Sequence, residues 1–549
     1  MKQKGMVRNV IFDTVKKQKW LSLGIVVAVV GAVVATLIPP LILAKIVDTI
    51  TAGTGVSVPF IVLYFLMLAL TGFLESAREG LLTVFGQKIT HALRSRLMEK
   101  FVNLTADSIN QQEPGTLVSR FVGDVDTVEN LFTSGIISMF ADACKIVSIL
   151  VVIWFQNRGL TFVLLVILPL LFGFTRHVQK NMLAAQIANR KAVGRASAHV
   201  PETLHNIRTI HCLGKENYME ERYDQYIGES YQAMERTNFY DAVYSPVILI
   251  LNAIVVAVVM LLSAGGNPEV LAFFGMSAGT AVAVINYIFQ IFGPVESLGM
   301  EIQTIQSALA GIHRINEFFE LEEKEPLEEK EQKMQENLPF VELKNVTFGY
   351  DEHVVLDRLS FQVLDGDQVT LAGRTGAGKS TIMKLLLGLY KPQKGSVTIH
   401  GVPSSEIREK DRRKLFGYVE QSFHMVPGTV RDQITLYDKK ISEKQVRAAA
   451  ALTGLSGAIE SLEKGYDTVC TPELFSQGQW QLLSIARAAA GRNRPKQEPH
   501  LLLLDEITAN LDAETEKEVL DALKRVSENR TVISISHRTS AKMGRILQI

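Results

Sequence analysis

The octapeptide GRTGAGKS, residues 373–380, sets three glycines, a lysine and a hydroxyl between a strand-like run and the apolar helix-forming text TIMKLLLGLY. Such an arrangement suits a phosphate. Gly373, Gly376 and Gly378 leave the loop backbone, with Arg374, Thr375 and Ala377 between them, free to wrap its N–H groups around an anion at a helix N-terminus, where the dipole also favours negative charge. Lys379 is placed to reach the β and γ oxygens, and Ser380, followed by Thr381, offers a hydroxyl oxygen to Mg2+. A second cluster, LLLLDE at residues 501–506, reads as a buried parallel strand carrying two acids at its carboxyl end, where α/β sheets bind ligands. There Asp505 supports the Mg2+ through water, and Glu506 orients and polarises the attacking water as general base. ATP and Mg2+ are the expected ligands.

Between these lies LFSQGQWQLLSIARAAA, starting at Leu474, in which Ser476 stands as the N-cap of a helix with an apolar face at Leu482, Leu483, Ile485 and Ala486. The strand-like VELKNVTFGY opens this half, and charges are spread throughout it.

The first half differs. Apolar runs long enough to cross a bilayer recur near residues 21–43, 58–74, 136–155, 160–174, 247–264 and 270–292. The second and fourth continue as polar, helix-favouring text that must project into water; QNRG and GGNPE form tight turns between the last two pairs. The first nineteen residues carry Lys2, Lys4, Arg8, Lys16, Lys17 and Lys19, whereas TAGTGVSV after the first run carries no Lys or Arg, so the N-terminus is expected in the cytosol. Six crossings return the second half to the same side. Val7, Val10, Ile11 and Val15 share a helical face suited to the membrane interface. The charged text of residues 321–338 reads as a solvated linker.

The expected organisation is therefore an all-α six-helix transmembrane domain, residues 1–320, a linker, and an α/β P-loop ATPase cassette, residues 339–549. Fifty-seven Lys plus Arg balance 57 Asp plus Glu, which argues against a nucleic-acid binder driven by bulk charge, and the 47% hydrophobic content against a disordered chain. Cys144, Cys212 and Cys470 are too far apart for a disulfide scaffold or a metal-ligand motif, and read as small core residues.

The order of these motifs resembles the ATP-binding cassette of an ABC transporter, and the six long helices resemble the exporter-type membrane domain of that superfamily. The resemblance covers nearly the whole chain. It implies that Tyr350 stacks on adenine, that Gln421 contacts Mg2+ and senses the membrane domain, that ANLD at residues 509–512 crosses to a partner cassette, and that His537 is the switch histidine at the γ-phosphate. Residues 114–132 and 202–216 resemble the two coupling segments. It also implies pairing with a second half-transporter in the cell membrane, with the signature Ser476, Gln477, Gly478 and Gln479 completing the partner's ATP site.

Two departures qualify the resemblance. The usual LSGGQ reads FSQGQ, with Gln477 at a glycine position, and the segment before it is about two residues shorter than usual in the family. Intact Glu506 with an altered signature is the combination in one subunit of heterodimeric exporters, so a heterodimer is favoured and a homodimer stays open. The chain also stops twelve residues after His537, where family members continue, which suggests truncation.

The substrate class stays open between lipid, amphipathic small molecule and peptide. A siderophore-type importer and an ATP-gated channel or regulatory subunit are the alternatives. Glu75 with Arg78, and Asp142 with Lys145, have the spacing to line a path but fit interfacial or structural pairs better. If the apolar runs were only core helices, the protein would wash off membranes in alkaline carbonate; it is expected to stay with the membrane pellet.

Overall fold

A computed structural model of the chain describes residues 5–264, 277–324, 338–350, 353–408, 411–412, 415–490, 501–508, 511–528, 530–536, 538 and 542–549. Two compact units result, one of residues 1–103 and 112–321, the other of residues 104–111 and 322–549.

The helices up to the cassette are α1 (Met6–Lys17), α2 (Lys19–Thr51), α3 (Val58–Asn103), α4 (Ala106–Asn110), α5 (Pro114–Ser119), α6 (Val125–Thr133), α7 (Ile136–Gln156), α8 (Arg158–His205), α9 (Ile207–Leu213), α10 (Glu216–Ala264) and α11 (Ala278–Glu320). A π-turn, Arg120–Asp124, joins α5 to α6. Six spans among the described residues are long and apolar enough to cross a membrane. A helix is the natural answer to an apolar solvent, because it satisfies its own backbone.

At Pro39, which interrupts that pattern, a neighbour compensates. Pro39 in α2 cannot donate to the Ala35 carbonyl, which instead accepts the Thr71 hydroxyl of α3 at 3.2 Å. One residue pair along, the Tyr287 hydroxyl of α11 donates to the Leu37 carbonyl at 2.6 Å. At the end of α2, Asp48 accepts from the Gly279 N–H at 2.8 Å and the Ser277 hydroxyl at 2.7 Å, so it braces the start of α11. Ser277 caps that helix, its side chain accepting from the Thr280 N–H at 3.1 Å. The described part of the sixth span thus begins at Ala278 instead of residue 270; residues 270–276 and the GGNPE turn lie outside the described residues. Asn157 caps α8 through the Leu160 N–H at 3.0 Å, so the expected hairpin turn is a single capping residue.

The N-terminal helix departs from expectation. Val7 and Val10 are buried, with the Val7 N–H on the Asn316 side chain at 3.2 Å, so α11 covers part of the face assigned to the membrane interface. Phe12 and Val15 stay exposed. Of the cysteines, only Cys470 is buried; Cys144 is half-buried and Cys212 exposed. Asp142 accepts the Ser297 hydroxyl of α11 at 2.7 Å, a tie between helices that the expected Lys145 pairing did not foresee.

Residues 114–132 hold α11 through Asp124. Its buried carboxylate accepts from the Arg314 Nε at 3.0 Å and from the second guanidinium nitrogen at 2.5 Å. Gly311, one turn earlier, allows this approach: a Cβ there would overlap the Thr127 hydroxyl.

In the second unit, β1 (Val341–Tyr350) pairs antiparallel with β2 (His353–Val363) and β4 (Lys394–Ile399), and β4 with β5 (Val402–Pro403). A parallel sheet of β6 (Phe416–Val419), β7 (Leu501–Asp505), β8 (Thr531–Ile535), β3 (Gln368–Ala372) and β9 (Arg545–Gln548) runs in that spatial order. The cassette helices are α12 (Lys379–Leu386), α13 (Val430–Thr435), α14 (Glu443–Thr453), α15 (Ser456–Glu460), α16 (Gln477–Ala489) and α17 (Ala513–Ser527). The run LLLL divides between two cores. Leu502 and Leu504 join α14, α16 and α17, whereas Leu501 and Leu503 join α12 and the antiparallel sheet.

The head of the charged stretch is not a free linker. Glu322 accepts the Thr105 N–H at 3.1 Å and Glu323 bridges to Leu104; residues 325–337 lie outside the described residues. Asn110, at the end of α4, donates to the Tyr390 hydroxyl at 2.7 Å.

Replacing Arg314 by alanine leaves the Asp124 carboxylate buried without its bidentate partner. Thermal unfolding in detergent should show a loss of about 2–3 kcal/mol, below the ~3–5 of a fully buried pair because Arg314 is half exposed. Asp124→Asn with Arg314→Ala should recover part of that loss.

Candidate nucleotide site

Three strand ends of the parallel sheet carry the described residues of the site. The carboxyl end of β3 leads into the glycine-rich loop, β6 into Gln421, and β7 into Asp505 and Glu506. Since β8 lies between β3 and β7, the loop and the acids flank one strand. This is where a parallel sheet opens a crevice for ligands.

The loop is shaped by backbone conformation. Gly376 and Gly378 have φ values of 85° and 90°, which side chains rarely adopt, and a Cβ on Gly378 would also press on Val355 and Leu356 of β2. Gly378 is the N-cap of α12. Lys379, only 6% exposed, folds back so that its ammonium donates to the Gly373 and Arg374 carbonyls at 3.0 and 2.9 Å. A buried ammonium is thus fixed inside the ring of loop atoms, while Arg374, Thr375 and Ser380 are exposed at the rim. Ala377 is half-buried and Thr381 buried.

Asp505 lies at the electrostatic centre. Burial raises its pKa above the usual aspartate value, the charges of Glu506 and Glu420 add to the rise, and Lys384 and Lys379 oppose it. Glu506 has φ 43°, the left-handed region, and its N–H donates to the Ile535 carbonyl at 3.1 Å. A non-glycine residue held there is strained, a feature common where a side chain must be aimed.

Tyr350 ends β1 with its hydroxyl 3.4 Å from the Lys384 ammonium and 3.5 Å from the Thr381 hydroxyl. Its ring meets Phe348 and Tyr390 edge-on, at 5.2 and 5.6 Å between centroids. That places it beside the phosphate-loop helix. Gln421 has an exposed side chain, and its carbonyl accepts from Gln481 at 2.6 Å.

Ser476 caps α16 in a reciprocal pair, its hydroxyl accepting the Gln479 N–H at 3.3 Å while the Gln479 carboxamide accepts the Ser476 N–H at 3.0 Å. Gln477 is exposed, so the unusual residue costs nothing within its own cassette. Gly478 is buried, and a Cβ there would overlap the Thr515 methyl of α17. Within this chain the described contacts of these four residues run to one another and to α17, not to the phosphate loop. Asp512 caps α17 through the Thr515 N–H at 3.2 Å. His537, Ala509 and Asn510 lie outside the described residues.

The oxygen donors Ser380, Gln421 and Asp505 match the hard-ligand preference of Mg2+. No group of three or more His, Cys, Asp and Glu able to hold a metal occurs among the described residues. Sequence reasoning missed Lys384 and Glu420, both charged neighbours of Asp505. Glu420 stood beside Gln421 in plain view, whereas Lys384 became relevant only through the helix turn that brings it under Tyr350.

A six-helix membrane unit joined to a phosphate-loop cassette defines a class of nucleotide-driven membrane proteins. Residues 21–295 match the ABC transporter transmembrane region model and residues 356–509 the ABC transporter model. The chain belongs to the ABC transporter family, with the exporter-type architecture of a membrane domain fused to one cassette. It is 28% identical over 545 residues to the uncharacterized ABC transporter ATP-binding protein YfiC of Bacillus subtilis (strain 168), covering 97% of this chain and 88% of that protein. It is 29% identical over 459 residues to the ATP-dependent lipid A-core flippase of Pasteurella multocida (strain Pm70), covering 82% and 77%. A solved structure of a bacterial Atm1-family ABC exporter with ATP bound shares the fold, with a TM-score of 0.76 at 24% identity over 97% of this chain and 93% of that one.

The raised Asp505 pKa has a sign. Between the unfolded value and the higher folded one, the folded state binds the proton more readily, so stability from this group falls as pH rises. Without nucleotide, Asp505→Asn should therefore melt higher than the parent near neutral pH, with the gap closing as pH falls through the Asp505 titration. The same substitution should shrink the rise in melting temperature produced by ATP with Mg2+.

Proposed function

We propose that this chain is one half of a dimeric ATP-driven exporter, which moves a lipid, an amphipathic small molecule or a peptide across the membrane by alternating access. The observation that carries the reading is the union of six membrane-length helices with a glycine-rich loop whose left-handed Gly376 and Gly378 enclose the buried Lys379 ammonium. The relative named as a lipid A-core flippase supports an amphipathic cargo.

In this reading the loop N–H groups and Lys379 bind the β and γ phosphates, and Tyr350 stacks on the adenine. Ser380, Gln421 and Asp505 hold Mg2+, which when bound neutralises phosphate charge. Glu506, aimed by its strained backbone, takes the proton of the attacking water, and His537 bonds the γ-phosphate. Ser476, Gln477, Gly478 and Gln479 face the nucleotide of a second half-transporter. Gln477 adds a side chain where backbone must approach phosphate, which favours a partner with a different signature. ATP closes the paired cassettes because it binds the closed state more tightly, and hydrolysis releases them. The N-terminus and cassette lie in the cytosol of a multi-pass membrane protein, with residues 1–320, 321–338 and 339–549 as membrane domain, linker and cassette.

Purified alone in lipid nanodiscs, the chain should bind ATP yet hydrolyse it slowly, and Glu506→Gln should remove the residual turnover, a loss of at least about 100-fold for a general base. Rapid turnover by the chain alone would replace the heterodimer by a homodimer. Turnover that survives Glu506→Gln would reject its assigned role.

A further inference from the structure

The segment after β6 and the start of α16 are joined by a stack of rings. Phe423 lies over Trp480 with centroids 4.9 Å apart and planes 25° from parallel. Phe475 meets the other part of Trp480 edge-on at 5.1 Å, and the Arg487 guanidinium covers Phe423 at 4.3 Å. The order Arg487, Phe423, Trp480, Phe475 therefore alternates residues of the signature region with one residue of the glutamine loop.

Polar contacts fix the same pair of segments. Gln481 donates to the Gln421 carbonyl at 2.6 Å, and Arg487 donates to the His424 carbonyl at 3.1 Å and to the Gln433 carbonyl at 2.6 Å. The Trp480 indole N–H donates to the Pro472 carbonyl at 3.3 Å, which sets the ring orientation. Gln421 keeps an exposed side chain although its carbonyl is held. On the other side of the stack, Ser476 and Gln479 form the first turn of α16, one to four residues from Trp480.

We propose that Trp480 is a positioning residue that locks the glutamine loop to the first turn of α16, so that a shift of Gln421 toward bound nucleotide repositions Ser476 and Gln479. Flat rings in stacked and edge contact resist shear, whereas a single hydrogen bond would let the loop slide. The consequence is specific to a paired transporter: Gln421 answers to the nucleotide in its own cassette, and Ser476 faces the nucleotide of the other. The ring stack then carries occupancy of one ATP site to the other, and it does so beside Gln477, where the signature departs from the usual glycine.

This inference rests on the proposed ATP-binding role, and Trp480 is its own reporter. The chain has three tryptophans, Trp20, Trp154 and Trp480. In full-length protein carrying Trp20→Phe, Trp154→Phe and Glu506→Gln, ATP with Mg2+ should change the Trp480 emission, while ATP binding is followed separately with radiolabelled nucleotide. Adding Phe423→Ala should abolish the emission change with ATP affinity retained, and Phe423→Tyr should restore it. ATP binding without an emission change, or a change that survives Phe423→Ala, overturns the relay alone. Failure of ATP to bind would overturn the transporter reading and the relay together.

Discussion

The desolvation of two opposite charges, Lys379 and Asp505, at strand ends that flank β8 is the constraint around which the nucleotide site is built. One is a buried ammonium inside a glycine-rich loop, the other a carboxylate that burial and two neighbouring acids push toward its neutral form. Desolvation penalises an isolated ion, and the Lys379 ammonium is compensated by the Gly373 and Arg374 carbonyls. The parallel sheet places β3 and β7 on either side of β8, so that residues more than a hundred positions apart share one crevice. Phosphate and Mg2+ suit such a crevice because each supplies the charge that the other side lacks.

Around that centre, the second unit is built from helix starts. Gly378 opens α12 at the phosphate loop, Ser476 opens α16 with a reciprocal cap, and Asp512 opens α17. Each start exposes N–H groups that an anion or a side-chain oxygen can satisfy. The close contact of Gly478 with Thr515 binds α16 to α17, so the signature turn is seated by packing as well as by its cap. Gln477, one position earlier, escapes this restraint by facing solvent.

The membrane unit obeys a different rule. Its helices satisfy their own backbones, and where Pro39 breaks the pattern the Thr71 hydroxyl of an adjacent helix donates to the Ala35 carbonyl. Two polar ties grip α11 near its ends: Asp48 at its start, and Asp124 with Arg314 near its finish. Such ties restrict how the long helices can slide along one another, since a buried carboxylate has few alternative partners.

By itself the sequence determined whatever is local. The glycines, Lys379 and Ser380 lie within one octapeptide, the Ser476 cap is a matter of four residues, and a long apolar run must be helical in a bilayer because its backbone has no other partner. Tertiary structure decided the rest. It covered Val7 and Val10 with a helix where an interface was expected, and drew Glu322 and Glu323 out of the charged linker to meet Thr105 and Leu104. It also made Gly478 rather than Gln477 the sterically restricted position, gave Asp505 its raised pKa, and joined Phe423 to Trp480. The physical reason is the same in each case: a cap or a turn is specified by neighbours along the chain, whereas strand order and helix contact bring together residues whose separation no local pattern encodes.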